Sequence, residues 1–519
     1  MLARTLALLV SLFSFSLSAV AASHNPGRDS WHQIDSANFR VVTNGDAARV
    51  RVLVQDLERY RTVALQLLGA NGDGQKLTIY ATADRDSYAS LVGDELADVT
   101  NGLFDTTAQG SYALVNLESD EGGSQQRARE FLFHEYTHFL SYHRNTTYYP
   151  YWYSEGFAEF MSTMTFPAPG RYQLGAVPSE RAATLYYMAP MPLERLLTAT
   201  IYNTSNDDKA RLYASGWMLA HWLIMESGKT EEFKDYVRGY NRGADPVKTL
   251  ETALGVKLAD VKQRYKQLFE HGNFAMVTGD IPAGFREAQP QVQLLSQQSA
   301  VTEIAGFLVM SGYNVGGLDD LLHYAHKKGI YSHQLTAVQA DAETRLGNFD
   351  QAQRLLETIP PQQRKQFWYQ GVDAWLELTR QIHTPEKSRD RESLKRARDE
   401  FVYLVNNDSD NASHWYGLAL AMDMLGYPRD KYVEMLEQAY FRAPRQIYIA
   451  EWLARELYEK KDAEYFTTVA QPLLLELNDE ESHRQIKAML AEMRAQQGHR
   501  QEAKASARLI HKQVKSTGS

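Results

Sequence analysis

The chain has 519 residues, of which 44% are hydrophobic and 23% charged, and its formal net charge at pH 7 is −9. This length is typical of two or three units with a core each, and the composition is that of a globular protein, which excludes a disordered chain. The acidic balance argues against nucleic acid as a partner, because phosphates are bound through clustered Lys and Arg. Cysteine is absent, so any metal must be held by histidines and carboxylates.

The first 22 residues have the pattern of a secretory signal peptide. A short segment with Arg4 precedes an apolar stretch over residues 6–17, and the sequence Ala-Val-Ala follows at 19–21. This pattern predicts cleavage just after that sequence and export, either to the periplasm or out of the cell, with no transmembrane segment left in the mature chain. The alternative is an uncleaved anchor, although the apolar stretch is short for a membrane span.

Residues 23–280 are predicted to form one α+β domain. Short runs rich in β-branched and apolar residues predict strands at 38–44, 76–82 and 111–116. Residues 47–68 repeat apolar side chains every three to four positions, which predicts a helix, and helical patterns dominate from about 124 to 274. The predicted architecture is a small mixed sheet followed by helices.

Residues 285–519 are predicted to form an all-α domain of helical repeats. The stretch 415–444 resembles a tetratricopeptide repeat, and shorter matches occur at 340–356 and 488–510; the first match is carried by Trp415, Leu418, Ala419, Gly426, Ala439 and Pro444. Small residues let paired helices approach, and the glycine ends the first helix of a pair. An unrelated helical bundle is the alternative. A repeat surface of this kind docks another protein or covers a neighbouring domain.

The stretch FLFHEYTHFL, residues 131–140, contains the first candidate site residues. On a helix, His134 and His138 lie one turn apart and present two imidazole nitrogens to one ion. Glu135 lies at the edge of that face, where it reaches a water molecule without being a ligand. For this motif alone, the alternative is a half-buried helix in which the polar residues fall by chance.

A third candidate ligand follows the aromatic stretch at 143–154. Glu155 and Glu159 are again one helical turn apart, and a loop between two helices can bring Glu155 to the ion, which leaves a fourth position for water. Glu159 is then placed to accept a hydrogen bond from the second nitrogen of one histidine. The alternative for both glutamates is a solvated helix face.

These residues resemble the motif of the gluzincin metallopeptidases, and within them most closely the peptidase MA-like domains. The resemblance covers residues 31–275 and implies one Zn²⁺ ion with His134, His138 and Glu155 as ligands. It further implies Glu135 as the general base and Glu159 as the carboxylate behind a ligand. The sixteen residues between His138 and Glu155 make a slightly shorter gap than that of the related aminopeptidases.

The resemblance extends to the stretch 211–228. Tyr213 and Gly216 are similar to the Y-x-x-G segment of gluzincin aminopeptidases, which implies that the Tyr213 hydroxyl stabilises an oxyanion, a donor that amide hydrolysis needs. The alternative is an ordinary tyrosine on an amphipathic helix. The resemblance also implies that the strand at 111–116, upstream of these motifs, is the edge strand that borders the cleft and pairs with an extended peptide.

The sequence therefore predicts an exported, zinc-dependent peptidase that acts on peptides or proteins through an activated water molecule. Its helical repeats would dock a substrate or a protein partner. An endopeptidase is favoured over an aminopeptidase, because the sequence shows no segment for recognising a free N-terminus. The alternative is a catalytically silent metal-binding scaffold that assembles envelope proteins through the repeats.

Overall fold

The computed structural model describes residues 24–70, 72, 75–118, 126–477 and 479–496, and the predicted signal peptide over residues 1–22 lies outside them. The strands are β1 His32–Asp35, β2 Phe39–Thr43, β3 Leu77–Thr82, β4 Gly102–Thr107, β5 Gly110–Asn116, β6 Thr165–Ala168, β7 Arg171–Leu174, β8 Val277–Asp280 and β9 Gln291–Leu294.

The helices up to the end of the sheet region are α1 Ala47–Leu68, α2 Arg85–Val92, α3 Asp94–Ala97, α4 Gln126–Tyr142, α5 Tyr151–Ser162, α6 Ser179–Tyr187, α7 Leu193–Leu197, α8 Asn206–Met225, α9 Thr230–Asn241, α10 Pro246–Leu254 and α11 Leu258–His271. The later helices are α12 Gln297–Ser311, α13 Val315–Lys328, α14 His333–Arg345, α15 Phe349–Glu357, α16 Phe367–His383, α17 Arg391–Asn407, α18 Ala412–Met424, α19 Arg429–Arg442, α20 Ile447–Glu459 and α21 Ala463–Leu473. Residues 480–496 are also helical.

The main sheet is mixed, with the strand order β4-β5-β3-β2-β1-β9. The strands β2, β3 and β5 run parallel to one another, and the remaining pairs are antiparallel. The expectation that residues 111–116 form the edge strand is wrong, because β5 lies between β3 and β4. The chain turns at Ala108 and places residues 102–107 outside it, so β4 is the edge strand on this side.

Neighbouring residues of a strand point to opposite faces of the sheet, and helices cover both faces. Val41 and Ile79 face the core shared with α1 and α4. Tyr80 and Tyr112 point the other way and pack on Phe307 of α12, with ring centroids 4.3 and 5.3 Å apart. The strand β9 and the helices α12 to α14 therefore share a sheet and a core with residues 31–116, although they follow the predicted boundary at 280–285.

The structure confirms a mixed α/β chain in which a small sheet is followed by many helices. From α15 onward, consecutive helices pack on one another, and we call residues 349–496 the helical array. Gly347 and Gly426 adopt positive φ angles of 81° and 77° where the first helix of a pair ends, a conformation that glycine adopts without strain. The tetratricopeptide assignment stays a prediction, and its match at 488–510 lies partly outside the described residues.

In the ranges that the structure describes, no helix is both long and apolar enough to cross a membrane.

Candidate metal centre

Two helices bring the candidate ligands together. The helix α4 buries Phe133 and Tyr136 in the core, and its neighbouring face presents His134 and His138. The helix α5 packs on α4 after the connection at 143–150 and buries Glu155 at the contact between the two helices. The apolar residues of FLFHEYTHFL thus fix the helix, and its histidines face the second helix.

The three predicted ligands converge on one point. His134 Nε2 and His138 Nε2 lie 3.1 Å apart, and Glu155 Oε2 lies 3.4 Å from the first nitrogen and 3.5 Å from the second. All three side chains are buried, and their donor atoms fall within 4.8 Å of one another. Two imidazoles and one carboxylate in this arrangement fit a Zn²⁺ ion that keeps a fourth position open.

Glu159 lies behind His134, as the resemblance implies. Its Oε1 is 3.5 Å from His134 Nδ1 and 3.0 Å from Nε of Arg181, which α6 supplies. A carboxylate at Nδ1 holds the proton there and leaves the Nε2 lone pair for a metal. Arg181 offsets the negative charge of Glu159 in a buried site that also contains the carboxylate of Glu155.

The charges of the metal-free site are coupled. Burial disfavours the imidazolium, but the hydrogen bond with Glu155 and the charges of Glu159 and Glu135 outweigh burial and raise the pKa of His134 to about 9. Burial would raise the pKa of Glu155, yet its contacts with His138 and His134 bring that pKa well below the usual range. A bound divalent cation would take the place of the proton on His134.

Glu135 is half-buried on α4 between the two histidines. Burial raises the pKa of Glu135, and the neighbouring His134 and His138 offset only part of this effect. A carboxylate with a raised pKa is better matched to accepting and returning a proton near neutral pH. The role of Glu135 as a general base stays a prediction.

Tyr213 reaches the site from α8. Its ring lies 6.2 Å from the His134 ring and 6.5 Å from the Tyr151 ring between centroids. Burial and the charge of Glu155 raise the pKa of Tyr213 well above its usual range, so the hydroxyl stays protonated at physiological pH. The structure therefore brings Tyr213, with its hydroxyl protonated, to the candidate ligand group, and its catalytic role stays a prediction.

The helices α5 and α8, which carry Glu155 and Tyr213, cross each other closely. A Cβ atom on Gly156 would lie 2.2 Å from the carbonyl carbon of Gly216, and one on Gly216 would lie 2.5 Å from the Trp152 carbonyl oxygen. Only glycine at both positions lets α5 and α8 approach this closely. Gly156 directly follows Glu155 in the chain, and Gly216 follows Tyr213 by three residues.

Sequence reasoning missed three side chains at this site. Arg181 ion-pairs with Glu159 and also lies over the Tyr213 ring, with its guanidinium carbon 5.3 Å from the centroid. Tyr151 contacts the Tyr213 ring edge-on with centroids 6.5 Å apart, and Tyr142 stacks on His138 with centroids 5.2 Å apart. Tyr151 lies in the aromatic stretch at 143–154 and Tyr142 borders it, so the aromatic composition of this stretch was a signal for both. No motif marks Arg181.

Comparison of the chain with protein-family models, with curated proteins and with solved structures finds no match. What points to a function is therefore the geometry of the site and the resemblance of its motifs to those of gluzincins. The motif residues span only 134–159, together with Tyr213 and Gly216, and the geometry adds Arg181, Tyr142 and Tyr151 to them.

Proposed function

We propose that the chain is an exported zinc-dependent peptidase. The observation that carries this proposal is the buried group of His134, His138 and Glu155, with a carboxylate and a protonated phenol on its border. A purely structural site has no use for Glu135 and tends to close its fourth position with a protein ligand. The donor set therefore supports a catalytic centre.

Each residue has a role that its surroundings support. His134, His138 and Glu155 would hold one Zn²⁺ ion, which supplies a Lewis acid that acidifies water and polarises a carbonyl group. Glu135 accepts the proton of the attacking water and returns it to the leaving amine. Tyr213 donates its hydroxyl to the oxygen that becomes negative.

Two further residues would keep the histidine in place during turnover. Glu159 Oε1 faces His134 Nδ1 at 3.5 Å, and Arg181 forms an ion pair with the same carboxylate oxygen at 3.0 Å. Arg181 also lies over the ring of Tyr213, so the same cation restrains the oxyanion donor. The metal ligand His134 and the oxyanion donor Tyr213 would thus share one support.

The test compares the mature chain with Glu135→Gln. Zinc is measured by plasma emission, and cleavage of an unbiased peptide mixture is followed by mass spectrometry. Glu130→Gln is the matched control, because Glu130 lies on the same helix and its carboxylate accepts a hydrogen bond from Gln126. We expect one zinc per chain in all three proteins, with cleavage lost only in Glu135→Gln.

Two outcomes would contradict the proposal. A mature chain that binds no zinc would remove the metal centre altogether. Stoichiometric zinc without cleavage in any of the three proteins would leave a metal-binding scaffold, whose function would then lie in the helical array.

A further inference from the structure

One arginine of the helical array, Arg445, contacts aromatic rings beside the candidate metal centre. Arg445 lies between α19 and α20, and its guanidinium carbon is 4.2 Å from the ring centroid of Tyr142 and 3.9 Å from that of Tyr148. Its Nη2 donates to the Thr147 carbonyl oxygen at 2.8 Å, and its Nη1 pairs with Glu476 at 3.4 Å. With 14% of its side chain exposed, Arg445 is held by two rings, a carbonyl and a carboxylate.

Tyr142 connects this cation to the candidate ligands. Its ring stacks on His138 at an interplanar angle of 20°. Its hydroxyl is hydrogen-bonded to the hydroxyl of Ser154, the residue before Glu155. Tyr142 therefore touches one ligand directly and the helix of another, and Arg445 restrains the ring that makes both contacts.

Other contacts seat the array on the same side of the molecule. The Ser413 N–H donates to the Ala108 carbonyl oxygen at 2.9 Å, and the Gln446 side chain donates to the Thr106 carbonyl oxygen. Arg144, two residues after Tyr142, forms an ion pair with Asp410. The array thus contacts both the end of the edge hairpin β4–β5 and the segment that leaves the ligand helix α4.

We infer that Arg445 is a positioning residue of the metal centre and that the helical array supplies it. This inference rests on the proposed metal site. By holding Tyr142 against His138 and Ser154, Arg445 keeps the ligand helices in register before a metal binds, which reduces the ordering that binding would otherwise require. A peptide or protein that displaces the array would accordingly weaken zinc binding.

The test measures zinc affinity in the full mature chain by competition with a chromophoric chelator. Arg445→Gln removes the cation, and it should weaken zinc binding about tenfold, which is the lower end of the loss seen when groups that orient metal ligands are removed. Arg445→Lys restores a cation over the rings and should recover part of the affinity. Asp410→Asn is the matched control, because it removes another ion pair between the array and the α4 segment without touching Tyr142.

Each outcome distinguishes a different failure. Wild-type chain that binds no zinc contradicts the proposed function rather than this inference. Equal affinity in wild type and Arg445→Gln overturns the inference, and so does an equal loss in Asp410→Asn, which would assign the effect to docking in general. If Arg445→Gln fails to fold, Tyr142→Phe takes its place: it loses the bond to Ser154 and should weaken zinc binding, and unchanged affinity in that variant overturns the inference.

Discussion

Glu159 Oε1 lies 3.5 Å from Nδ1 of His134, while Glu155 Oε2 lies 3.4 Å from Nε2 of the same ring. One imidazole is thus held at both nitrogens by two carboxylates that stand one turn apart on a single helix. Once a metal displaces the proton at Nε2, the remaining proton of His134 lies at Nδ1, on the side that faces Glu159. The arrangement also makes the orientation of His134 depend on Glu159, which lies outside the group of candidate ligands.

Replacing Glu159 should weaken zinc binding without abolishing it. In Glu159→Gln the amide no longer carries the charge that holds the proton at His134 Nδ1, and we expect zinc affinity to fall about 10- to 100-fold. Isothermal titration of the metal-free chain measures this loss. Glu180→Gln is the control, because Glu180 contacts Arg181 at 3.6 Å but is partly exposed and does not reach the histidine. Equal affinity in both variants would contradict the role of Glu159.

Removing the Tyr213 hydroxyl should affect turnover more than binding. Tyr213→Phe keeps the ring beside His134 and under Arg181, so zinc content and KM should change little, while kcat should fall about 10²-fold through loss of one oxyanion donor. Steady-state kinetics on a peptide substrate separates the two parameters. Tyr186→Phe serves as the control, since Tyr186 is 83% exposed on α6. Unchanged kcat in Tyr213→Phe would remove this residue from the catalytic site.

Zinc binding should release a proton at pH 7. In the metal-free chain the pKa of His134 is raised from 6.5 to about 9, because the surrounding carboxylates outweigh the effect of burial. At pH values below about 9 the folded site carries a proton that the metal must displace. Zinc affinity should therefore rise by about tenfold per pH unit and level off above that pKa. Titrations in buffers of different ionisation enthalpy count the protons released, and a count of zero at pH 7 would contradict the coupling.

The same shift makes a prediction about the stability of the metal-free chain. A raised folded-state pKa means that the contribution of His134 is fully present below pH 6.5 and is lost as pH rises through about 9. Urea unfolding of chelator-treated protein should therefore show a fall in the free energy of unfolding across this window. In His134→Gln that part of the pH dependence should disappear, and an identical pH profile in the variant would contradict it.

The sequence predicted the ligand group because its members are local. His134 and His138 are one turn apart, Glu155 and Glu159 are one turn apart, and a single connection joins the two helices. Arg181 and Arg445 could not be predicted in the same way, since their contacts depend on how distant elements pack. Neither arginine belongs to a spacing that periodicity can reveal.

The limits of the sheet prediction have a similar cause. The strand β9 is only four residues long and pairs with β1, more than two hundred residues earlier in the chain. A pairing this distant cannot be recognised from local alternation, because the register depends on the partner strand. The edge strand β4 contains Gly102 and Asp105, which are poor strand formers, so local pattern does not predict it, and the edge position that the resemblance implies for β5 is wrong.

A methyl group at the crossing of α5 and α8 should disturb the site. Gly156→Ala would place its Cβ against the Gly216 backbone, and overpacking of this kind costs about 1–3 kcal/mol in the free energy of unfolding. Because the displaced helix carries Glu155, zinc affinity should fall as well. Gly371→Ala is the matched control: this helical glycine has no atom within 4 Å of an added Cβ, and the change should be neutral or stabilising. Equal melting temperatures in the two variants would contradict the close crossing.

Truncation tests whether the chain after residue 285 completes the first domain. A mature chain that ends at 284 lacks β9 and α12. Tyr80 and Tyr112 then lose the Phe307 ring on which they pack. Arg40 loses Glu303, which it binds through two nitrogens at 2.8 Å. An exposed apolar sheet face and an unpaired cation should leave this fragment insoluble or without a cooperative thermal transition. A chain that ends at 345 retains the cover of the sheet and loses only the helical array; it should stay soluble but bind zinc more weakly than the full chain. A soluble mature chain that ends at 284 and shows a sharp melting transition by circular dichroism would contradict the shared core.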